Sequence, residues 1–473
     1  TCLAAGLQEG HPVKFSANFD SGSIGIVNLI DSVWVRPSRT DSVLHLSYEI
    51  ISRPDPANPA NPDLQPSARW FYFMMEGVRG KHIYLDFQNT DPMRAVYSYD
   101  GKHFQRFEHY QASLRKVSSF FSRDTVYVSY FIPYGWDKLQ ERLRQWTASP
   151  FVVMDTLGTS MMGLPVQMLA ITDPQVPEER KNRIWIHARV HPSESPANWQ
   201  LEGLLDRLTD NSPVARQYLR QSVFYVVPFA NPDGVYGGYS RSNARGINQE
   251  INWDHNDSVT SVEVQALRAR MDSLTRERPF DLVLNMHAQS DDKISYYVPT
   301  SASTYPEYHE KAMRLAYLTT DNNPYFFMED MFYSSPAPRY VEGWIWNRTK
   351  GKTLAMTIEM PYSFYNENPD RPWVTVTSLR ENGELMLRAI SDFFGWNIPG
   401  RYILKGTLRG KKTIFRHENL PAGEYQVFIW KDAWVPCDTV IKKRTGMFRC
   451  VIRTDGEPYT GPLRVSEKAT LRN

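Results

Sequence analysis

The sequence predicts a chain of three parts: a β-sandwich over residues 1–147, an α/β domain with a mixed sheet over residues 148–397, and a small β-sandwich over residues 398–473. Polar and apolar residues alternate in the first part, whereas short apolar runs alternate with amphipathic helical segments in the second. Beyond Pro399 the helical period disappears. A length of 473 residues also exceeds what one ordinary hydrophobic core organises, so several domains are expected.

The first and last parts are predicted to be rich in strands. Residues 44–48 and 126–130 alternate as strands do, and residues 425–430 form an apolar run after a turn-like segment. The stretch from Pro54 to Pro66 holds five prolines. Because proline lacks a backbone N–H, this stretch is predicted to be a surface loop that simply connects two strands.

Short apolar segments mark the central sheet. The predicted strands are residues 183–188, 222–227, 281–286 and 353–359. Ser195 and Pro196 supply a capping residue and a proline at the first helical position, so a helix is predicted to begin just after Glu194. A second helix is predicted to begin near Thr260, with Glu263 completing a capping box.

Composition excludes several classes of protein. With 54 basic and 52 acidic residues, the formal charge of +2 gives no general attraction to nucleic acid or to an anionic membrane. No apolar run reaches the roughly 18 residues of a transmembrane helix.

The three cysteines do not make a disulfide framework; Cys437 and Cys450 either pair or stay free, and Cys2 is a candidate lipid attachment site of an exported protein. The oligomeric state stays open.

Four polar residues are placed where an α/β sheet carries its active site. His191 and Glu194 follow the first predicted strand of this set, three residues apart, and His287 and Glu359 each end a later apolar strand. Ligands bind at the carboxyl ends of such strands. Histidine nitrogen and carboxylate oxygen suit Zn²⁺, and a catalytic zinc has three protein ligands and one open position.

The motifs around these residues resemble those of the zinc carboxypeptidase family, and most closely its branch of cytosolic carboxypeptidases. The resemblance rests on residues 188–194, 231–235, 285–287 and 357–359, with Arg241 ahead of Gly246 and Asn252-Trp253 between the second and third motifs. Upstream segments are similar to the β-domain that precedes the catalytic domain in that branch. The resemblance spans residues 15–395, and the C-terminal part resembles transthyretin-like appendages.

The resemblance assigns roles to individual residues. It implies that His191, Glu194 and His287 bind one Zn²⁺ per chain, and that Glu359 is the catalytic base that takes a proton from zinc-activated water. Arg241 matches the arginine that stabilises the developing oxyanion. Asn248 stands where the family has an aspartate that orients a zinc histidine. The candidates for the substrate-gating tyrosine are Tyr333 and Tyr340.

One departure from the family bears on specificity. The family places Asn-Arg before Asn252, to bind the terminal carboxylate of a peptide, whereas this chain has Glu250-Ile251. Glu250, Asn252 and Arg245 are therefore the candidate substrate-binding residues. Glu250 would meet a cationic or amide group, or Arg245 would restore the positive charge; alternatively, Glu250 is a solvated loop carboxylate.

The expected activity is zinc-dependent hydrolysis of a peptide or amide bond without recognition of a free terminal carboxylate. Two alternatives stay open. One is a zinc-dependent deacylase of acylated amino acids, and the other is a binding module that has kept the scaffold and lost catalysis. Activity on acylated amino acids, on peptides or on neither separates the three.

Overall fold

The computed structural model describes residues 12–108, 110–327, 330–365, 372–431 and 434–468, so the proposed lipid attachment site Cys2 lies outside the described residues. The described residues form a strand-rich N-terminal part, a central part built on one large sheet, and a strand-rich C-terminal part. In these ranges no helix is both long and apolar enough to cross a bilayer.

Two sheets make up the N-terminal part. Its strands are β1 (Lys14–Ser16), β2 (Ile26–Val35), β3 (Val43–Ile51), β4 (Tyr72–Glu76), β5 (Lys81–Phe87), β6 (Val96–Ser98), β7 (Gln105–Arg106), β8 (Lys116–Phe120) and β9 (Thr125–Ser129), and helix α1 (Trp136–Trp146) follows them. The sheet orders are β1-β4-β9-β6-β7 and β2-β3-β5-β8. Alternate residues of both sheets are buried in a cluster that continues into the central part. The stacking of these sheets as a sandwich stays a prediction.

Strands and helices alternate in the central part. In chain order they are β10 (Val152–Thr159), β11 (Pro165–Ile171), β12 (Asn182–Ala188), α2 (Ser195–Thr209), α3 (Pro213–Gln221), β13 (Ser222–Val227), α4 (Pro232–Tyr236), α5 (Val262–Thr275), β14 (Leu282–Gln289), β15 (Ser295–Pro299), α6 (Pro306–Thr320), β16 (Phe332–Ser334), α7 (Val341–Thr349), β17 (Leu354–Pro361) and α8 (Val376–Phe394). The sheet order is β10-β11-β13-β12-β14-β17-β15-β16. Strands β13, β12, β14 and β17 are mutually parallel, whereas β10–β11, β11–β13 and β15–β17 are antiparallel, which confirms the mixed sheet.

Helices cover both faces of this sheet. Ile184 and Ile186 of β12 belong to the same buried cluster as the leucines of α2 and α8, whereas Trp185 belongs to a second cluster with residues of α5 and α7. Because successive side chains of a strand point to opposite faces, a fully buried strand carries apolar residues at nearly every position. The continuous apolar runs in the sequence have this cause.

Two further sheets make up the C-terminal part. Its strands are β18 (Arg401–Leu404), β19 (Thr407–Arg409), β20 (Lys412–Leu420), β21 (Gly423–Trp430), β22 (Trp434–Lys442), β23 (Gly446–Thr454), β24 (Glu457–Pro458) and β25 (Leu463–Glu467), in the orders β18-β25-β21-β22 and β19-β20-β23-β24. Residues of both sheets share one buried cluster. Arg401 and Arg464 join this part to the central one through Asp321, which directly follows α6. Cys437 and Cys450 are both free thiols.

The four predicted central strands correspond to β12, β13, β14 and β17, whose ends differ by a few residues from the prediction. Both predicted caps are wrong. The hydroxyl of Ser195 donates to the carbonyl of Ile132 at 2.9 Å instead of capping α2. Helix α5 is capped by Ser261, which accepts from the N–H of Val264 at 3.2 Å, while Glu263 is buried and accepts from Asn243.

Helices α2 and α8 approach each other closely at two glycines. A Cβ atom on Gly203 would lie 2.0 Å from the carbonyl oxygen of Arg380, and one on Gly383 would lie 2.0 Å from that of Gln200. Real Cβ atoms do not approach backbone this closely, so a side chain at either position would separate the helices. This contact matters for the site because α2 begins directly after Glu194.

We expect Gly203→Ala to lower the free energy of unfolding by about 1–3 kcal/mol, because the added methyl group overpacks the α2–α8 contact. Urea unfolding followed by tryptophan fluorescence measures the change. Glu384→Ala, at an exposed position of the partner helix α8, is the control and should change stability by less than about 0.5 kcal/mol. Equal stabilities of the two variants would contradict the close approach of the helices.

Candidate metal and catalytic site

A buried arginine shapes the loop that carries His191 and Glu194. Arg189 follows β12 in the left-handed region, with φ 58°, and is 2% exposed. Its guanidinium donates to the carbonyl oxygens of Pro192 at 2.9 Å and Tyr134 at 2.9 Å, and to Asn198 Oδ1 at 3.1 Å. The loop therefore closes around a fixed cation that is also bonded to α2 through Asn198.

The register of the parallel strands brings the other two residues to this loop. His287 of β14 is the direct neighbour of Glu359 of β17, and Ala188 at the end of β12 is the neighbour of Met286. Three strand ends thus meet at one edge of the sheet. Residues separated by roughly 170 positions in the sequence become neighbours because the strands are parallel and in register.

Two histidine rings converge on one carboxylate at this edge. His191 Nδ1 lies 2.8 Å from Glu194 Oε1, and His287 Nδ1 lies 2.7 Å from Glu194 Oε2. All three side chains are buried, and one possible ligand atom from each lies within 4.8 Å of the other two. Two imidazoles and one carboxylate are a donor set typical of catalytic zinc. The residues present therefore fit the metal that the sequence predicted.

The charges of this group are strongly coupled. Although burial lowers the pKa of His287, the carboxylates of Glu250 and Glu194 raise it well above its ordinary value. Burial would raise the pKa of Glu194, but His191 and His287 hold it well below its ordinary value. A carboxylate held in its ionised form by two imidazoles is in the protonation state that binds a metal.

Each histidine has a partner on the side away from Glu194. His191 Nε2 lies 3.1 Å from Asn248 Oδ1, so Asn248 lies behind His191; its role in orienting a zinc histidine stays a prediction. His287 Nε2 lies 3.0 Å from Glu250 Oε2, and the amide of Asn285 donates to both oxygens of Glu250 at 3.1 and 3.2 Å. Glu250 is 7% exposed, so its interpretation as a solvated loop carboxylate is wrong.

A second carboxyl group, which the sequence analysis missed, continues this arrangement. Asn285 also donates to the hydroxyl of Thr357 at 3.3 Å, and that hydroxyl donates to Glu342 of α7. Burial, followed by the charge of Glu250, raises the pKa of Glu342 to about 7. Glu342 lies in the first turn of α7, far in sequence from the other site residues. Its contact with Thr357, two residues before Glu359, reveals its proximity to the site.

Glu359 has the environment of a group held ready for proton transfer. Its Oε2 is buried and has no hydrogen-bond partner among the described residues. Burial, followed by the charge of Glu194, raises the pKa of Glu359, to about 8. Arg241 is exposed, and its positive charge works against the rise in the pKa of Glu359 that burial causes.

The structure separates the remaining predicted substrate residues. Asn252 Oδ1 accepts a hydrogen bond from the N–H of Ser261 at 2.7 Å, at the start of α5. Arg245 is exposed in the loop before Asn248. Tyr333 is 64% exposed on β16 and lies beside the ring of His309, whereas Tyr340 is partly buried directly before α7.

Tyr297 is a further neighbour of the site that sequence reasoning missed. It lies on β15 opposite Thr357 of β17, two residues from Glu359. Burial, followed by the charge of Glu359, raises the pKa of Tyr297 to about 12, and Tyr340 contributes to the same shift. No motif in the sequence distinguishes Tyr297 from other strand tyrosines.

Known proteins resemble this chain in sequence and in fold. Residues 143–384 match the model of the zinc carboxypeptidase family. An uncharacterized protein of Zymomonas mobilis is 26% identical over 324 residues, which cover 64% of this chain and 81% of the relative. Mouse cytosolic carboxypeptidase 6 is 27% identical over 273 residues, 52% of this chain and 47% of the relative.

A solved metallo-carboxypeptidase from Burkholderia cenocepacia has the same fold, with a TM-score of 0.65 at 24% identity, over 81% of this chain and 99% of the other. The match to the family model spans half of the sequence. The chain belongs to the zinc carboxypeptidase family. Family and fold support a metallopeptidase-like hydrolase, and the His191–Glu194–His287 group is able to hold its metal.

We expect Glu250→Gln to weaken zinc binding by about 10- to 100-fold, because a neutral amide orients His287 less firmly and leaves the ring less basic. Competition with a chromophoric chelator measures the affinity. Asn248→Asp, which adds a carboxylate behind His191, is the matched variant and should strengthen binding. An unchanged affinity in both variants would show that the groups behind the histidines do not tune the metal site.

Proposed function

We propose that the chain is a zinc-dependent hydrolase of peptide or amide bonds in which His191, Glu194 and His287 hold the metal and Glu359 is the general base. The observation that carries this proposal is the convergence of two buried histidines on Glu194, with Glu359 on the neighbouring strand and one of its oxygens unpartnered among the described residues. An unpaired buried carboxylate oxygen is costly unless a ligand satisfies it.

His191, Glu194 and His287 would hold the zinc, which when bound would supply Lewis-acid chemistry and lower the pKa of water. The chain supplies the rest of the chemistry. Glu359 would accept a proton from the attacking water and then donate it to the leaving nitrogen. Arg241 would compensate the negative charge that develops on the carbonyl oxygen, since its guanidinium already acts on Glu359.

The groups behind the histidines would hold the two rings in a productive orientation. We assign Glu250 and Asn248 to this role because each lies within hydrogen-bond distance of the Nε2 atom of a different histidine. Each ring would then keep the Nδ1 atom that faces Glu194 available to a metal. Glu250 is thus proposed as a positioning residue, and its two oxygens are already engaged by His287 and Asn285.

The same residues argue against binding of a free terminal carboxylate at this position. Ile251 offers no charge, and Glu250 and Glu342 add two buried carboxyl groups beside it. A substrate carboxylate entering here would meet negative charge instead of an arginine fork. We therefore propose substrates whose residue at this position is amidated, linked onward or cationic. The names of the relatives, as carboxypeptidases, support peptides as the wider substrate class.

We expect Glu359→Gln to lower kcat for peptide hydrolysis by about 100- to 10,000-fold while zinc binding is retained, because the amide cannot accept the proton from water. Release of product amine from a broad peptide panel measures the rate. Glu381→Gln, at an exposed carboxyl of α8, is the control and should leave the rate unchanged. A wild-type chain that binds zinc and hydrolyses acylated amino acids, but no peptide, would favour the deacylase alternative.

We expect the wild-type chain to cleave peptides with amidated C-termini at least as well as matched peptides with free C-termini. Ile251→Arg should shift this preference toward free carboxylates by about tenfold or more, because a guanidinium pairs with a carboxylate. Ile251→Met is the matched control, since it changes shape without adding charge. A wild-type preference for free C-termini would contradict the proposed specificity.

A further inference from the structure

A carboxylate of the N-terminal part binds the loop that carries Arg241. Asp55 lies in the proline-rich stretch that the sequence predicted to be a plain connection, yet it is 5% exposed. Its oxygens accept from three consecutive backbone N–H groups, those of Ser240 at 2.6 Å, Arg241 at 2.8 Å and Ser242 at 2.9 Å. Successive N–H groups that converge on one anion form a strong, directional anchor. The prediction of a plain surface connection is therefore wrong for Asp55.

The stretch around Asp55 holds the same loop at further points. Arg53 donates to the carbonyl oxygens of Gly237 and Gly238, the latter at 3.1 Å, and stacks over the ring of Tyr239. At the other end of the loop, Gly246 lies so close to this stretch that a Cβ atom would be 2.4 Å from the carbonyl oxygen of Pro56. The loop from Gly237 to Gly246 is thus held by the N-terminal part at both ends and in the middle.

The opposite side of this loop is bonded to the metal loop. The carbonyl oxygen of Ser240 accepts from the N–H of Ser193 at 3.2 Å and from its hydroxyl at 2.7 Å. Ser193 directly precedes Glu194. The backbone of residues 240–242 is therefore bonded to Asp55 through its N–H groups and to the metal loop through a carbonyl group.

Arg241 differs from its two neighbours in burial. Ser240 and Ser242 are 3% and 5% exposed, whereas the side chain of Arg241 is exposed, and its positive charge works against the burial that raises the pKa of Glu359. A long side chain that is free at its tip reaches a fixed point only if its backbone is fixed. The carboxylate of Asp55 accepts from the N–H of Arg241 and so fixes the backbone at this residue.

We propose that Asp55 is a positioning residue for catalysis: through the N–H groups of residues 240–242, the N-terminal part sets the place of the Arg241 guanidinium beside the metal and Glu359. This inference rests on the function proposed above for Arg241. It gives the N-terminal part a role in the chemical step that is separate from zinc binding. Among the contacts described above, Asp55 contacts neither a proposed zinc ligand nor a residue bonded to His191 or His287.

The test compares Asp55→Asn and Asp55→Ala with the wild-type full chain, each also in an Arg241→Ala background. Asp63→Asn is the matched control, since it makes the same change in the same stretch at an exposed carboxylate. Three quantities are measured: kcat and KM for a peptide substrate, zinc affinity by chelator competition, and hydrogen exchange of the backbone amides of residues 240–242.

We expect Asp55→Ala to lower kcat by about 10- to 100-fold with little change in KM, since a displaced catalytic group loses rate through orientation. Zinc affinity should stay within about twofold, exchange at residues 240–242 should accelerate, and the loss of kcat should vanish in the Arg241→Ala background. Asp55→Asn should show the same pattern more weakly, because one oxygen still accepts.

Three results would overturn the inference: unchanged exchange at residues 240–242, an equal loss of zinc affinity and kcat, or full additivity with Arg241→Ala. If Asp55→Ala does not fold, Asp55→Asn decides between the same outcomes. Failure of the proposed function is recognised separately, because the wild-type chain itself would then hydrolyse no peptide; normal exchange in Asp55→Ala would still overturn the anchoring on which the inference depends.

Discussion

Two buried imidazoles face one buried carboxylate at the carboxyl end of the central sheet, and most of the architecture around them maintains this contact. Burying three charged or polar side chains costs free energy unless they neutralise one another or bind a metal. Arg189 fixes the loop that supplies His191 and Glu194, while the parallel register of β14 and β17 supplies His287 and Glu359. The helices bury the sheet on both faces.

The two histidines have different partners on the side away from Glu194. His191 meets the neutral amide of Asn248, whereas His287 meets the carboxylate of Glu250. In this chain the negative charge lies behind His287, and a neutral amide stands where the resemblance implies an aspartate. This arrangement also removes Glu250 from the set of groups free to bind substrate, because Asn285 and His287 occupy both of its oxygens. Under the proposed function, the Glu250-Ile251 pair would thus bear on the metal and on specificity together.

The N-terminal part is more than an appendage to the catalytic sheet. Its buried residues join the core of the central part, and Asp55 binds the backbone of the loop that presents Arg241. The two parts also approach each other closely at two glycines. A Cβ atom on Gly246 would lie 2.4 Å from the carbonyl oxygen of Pro56, and one on Gly238 would lie 2.5 Å from that of Gly22. A surface loop rich in proline suits this purpose because its backbone is stiff and few of its N–H groups need partners.

The sequence by itself predicted the mixed α/β sheet of the central part, its four central strands, and the positions of His191, Glu194, His287 and Glu359 at or near the carboxyl ends of strands. Local patterns suffice for these features because burial imposes apolar runs and strand ends expose polar residues. The sequence also placed Asn248 behind a histidine, although only by resemblance. Only the tertiary structure decided the partners of Glu250, the nearness of Glu342 and Tyr297, and the anchoring of residues 240–242 by Asp55. Each of these contacts joins segments distant in sequence, and it depends on strand register and on how the parts pack, which no local pattern encodes.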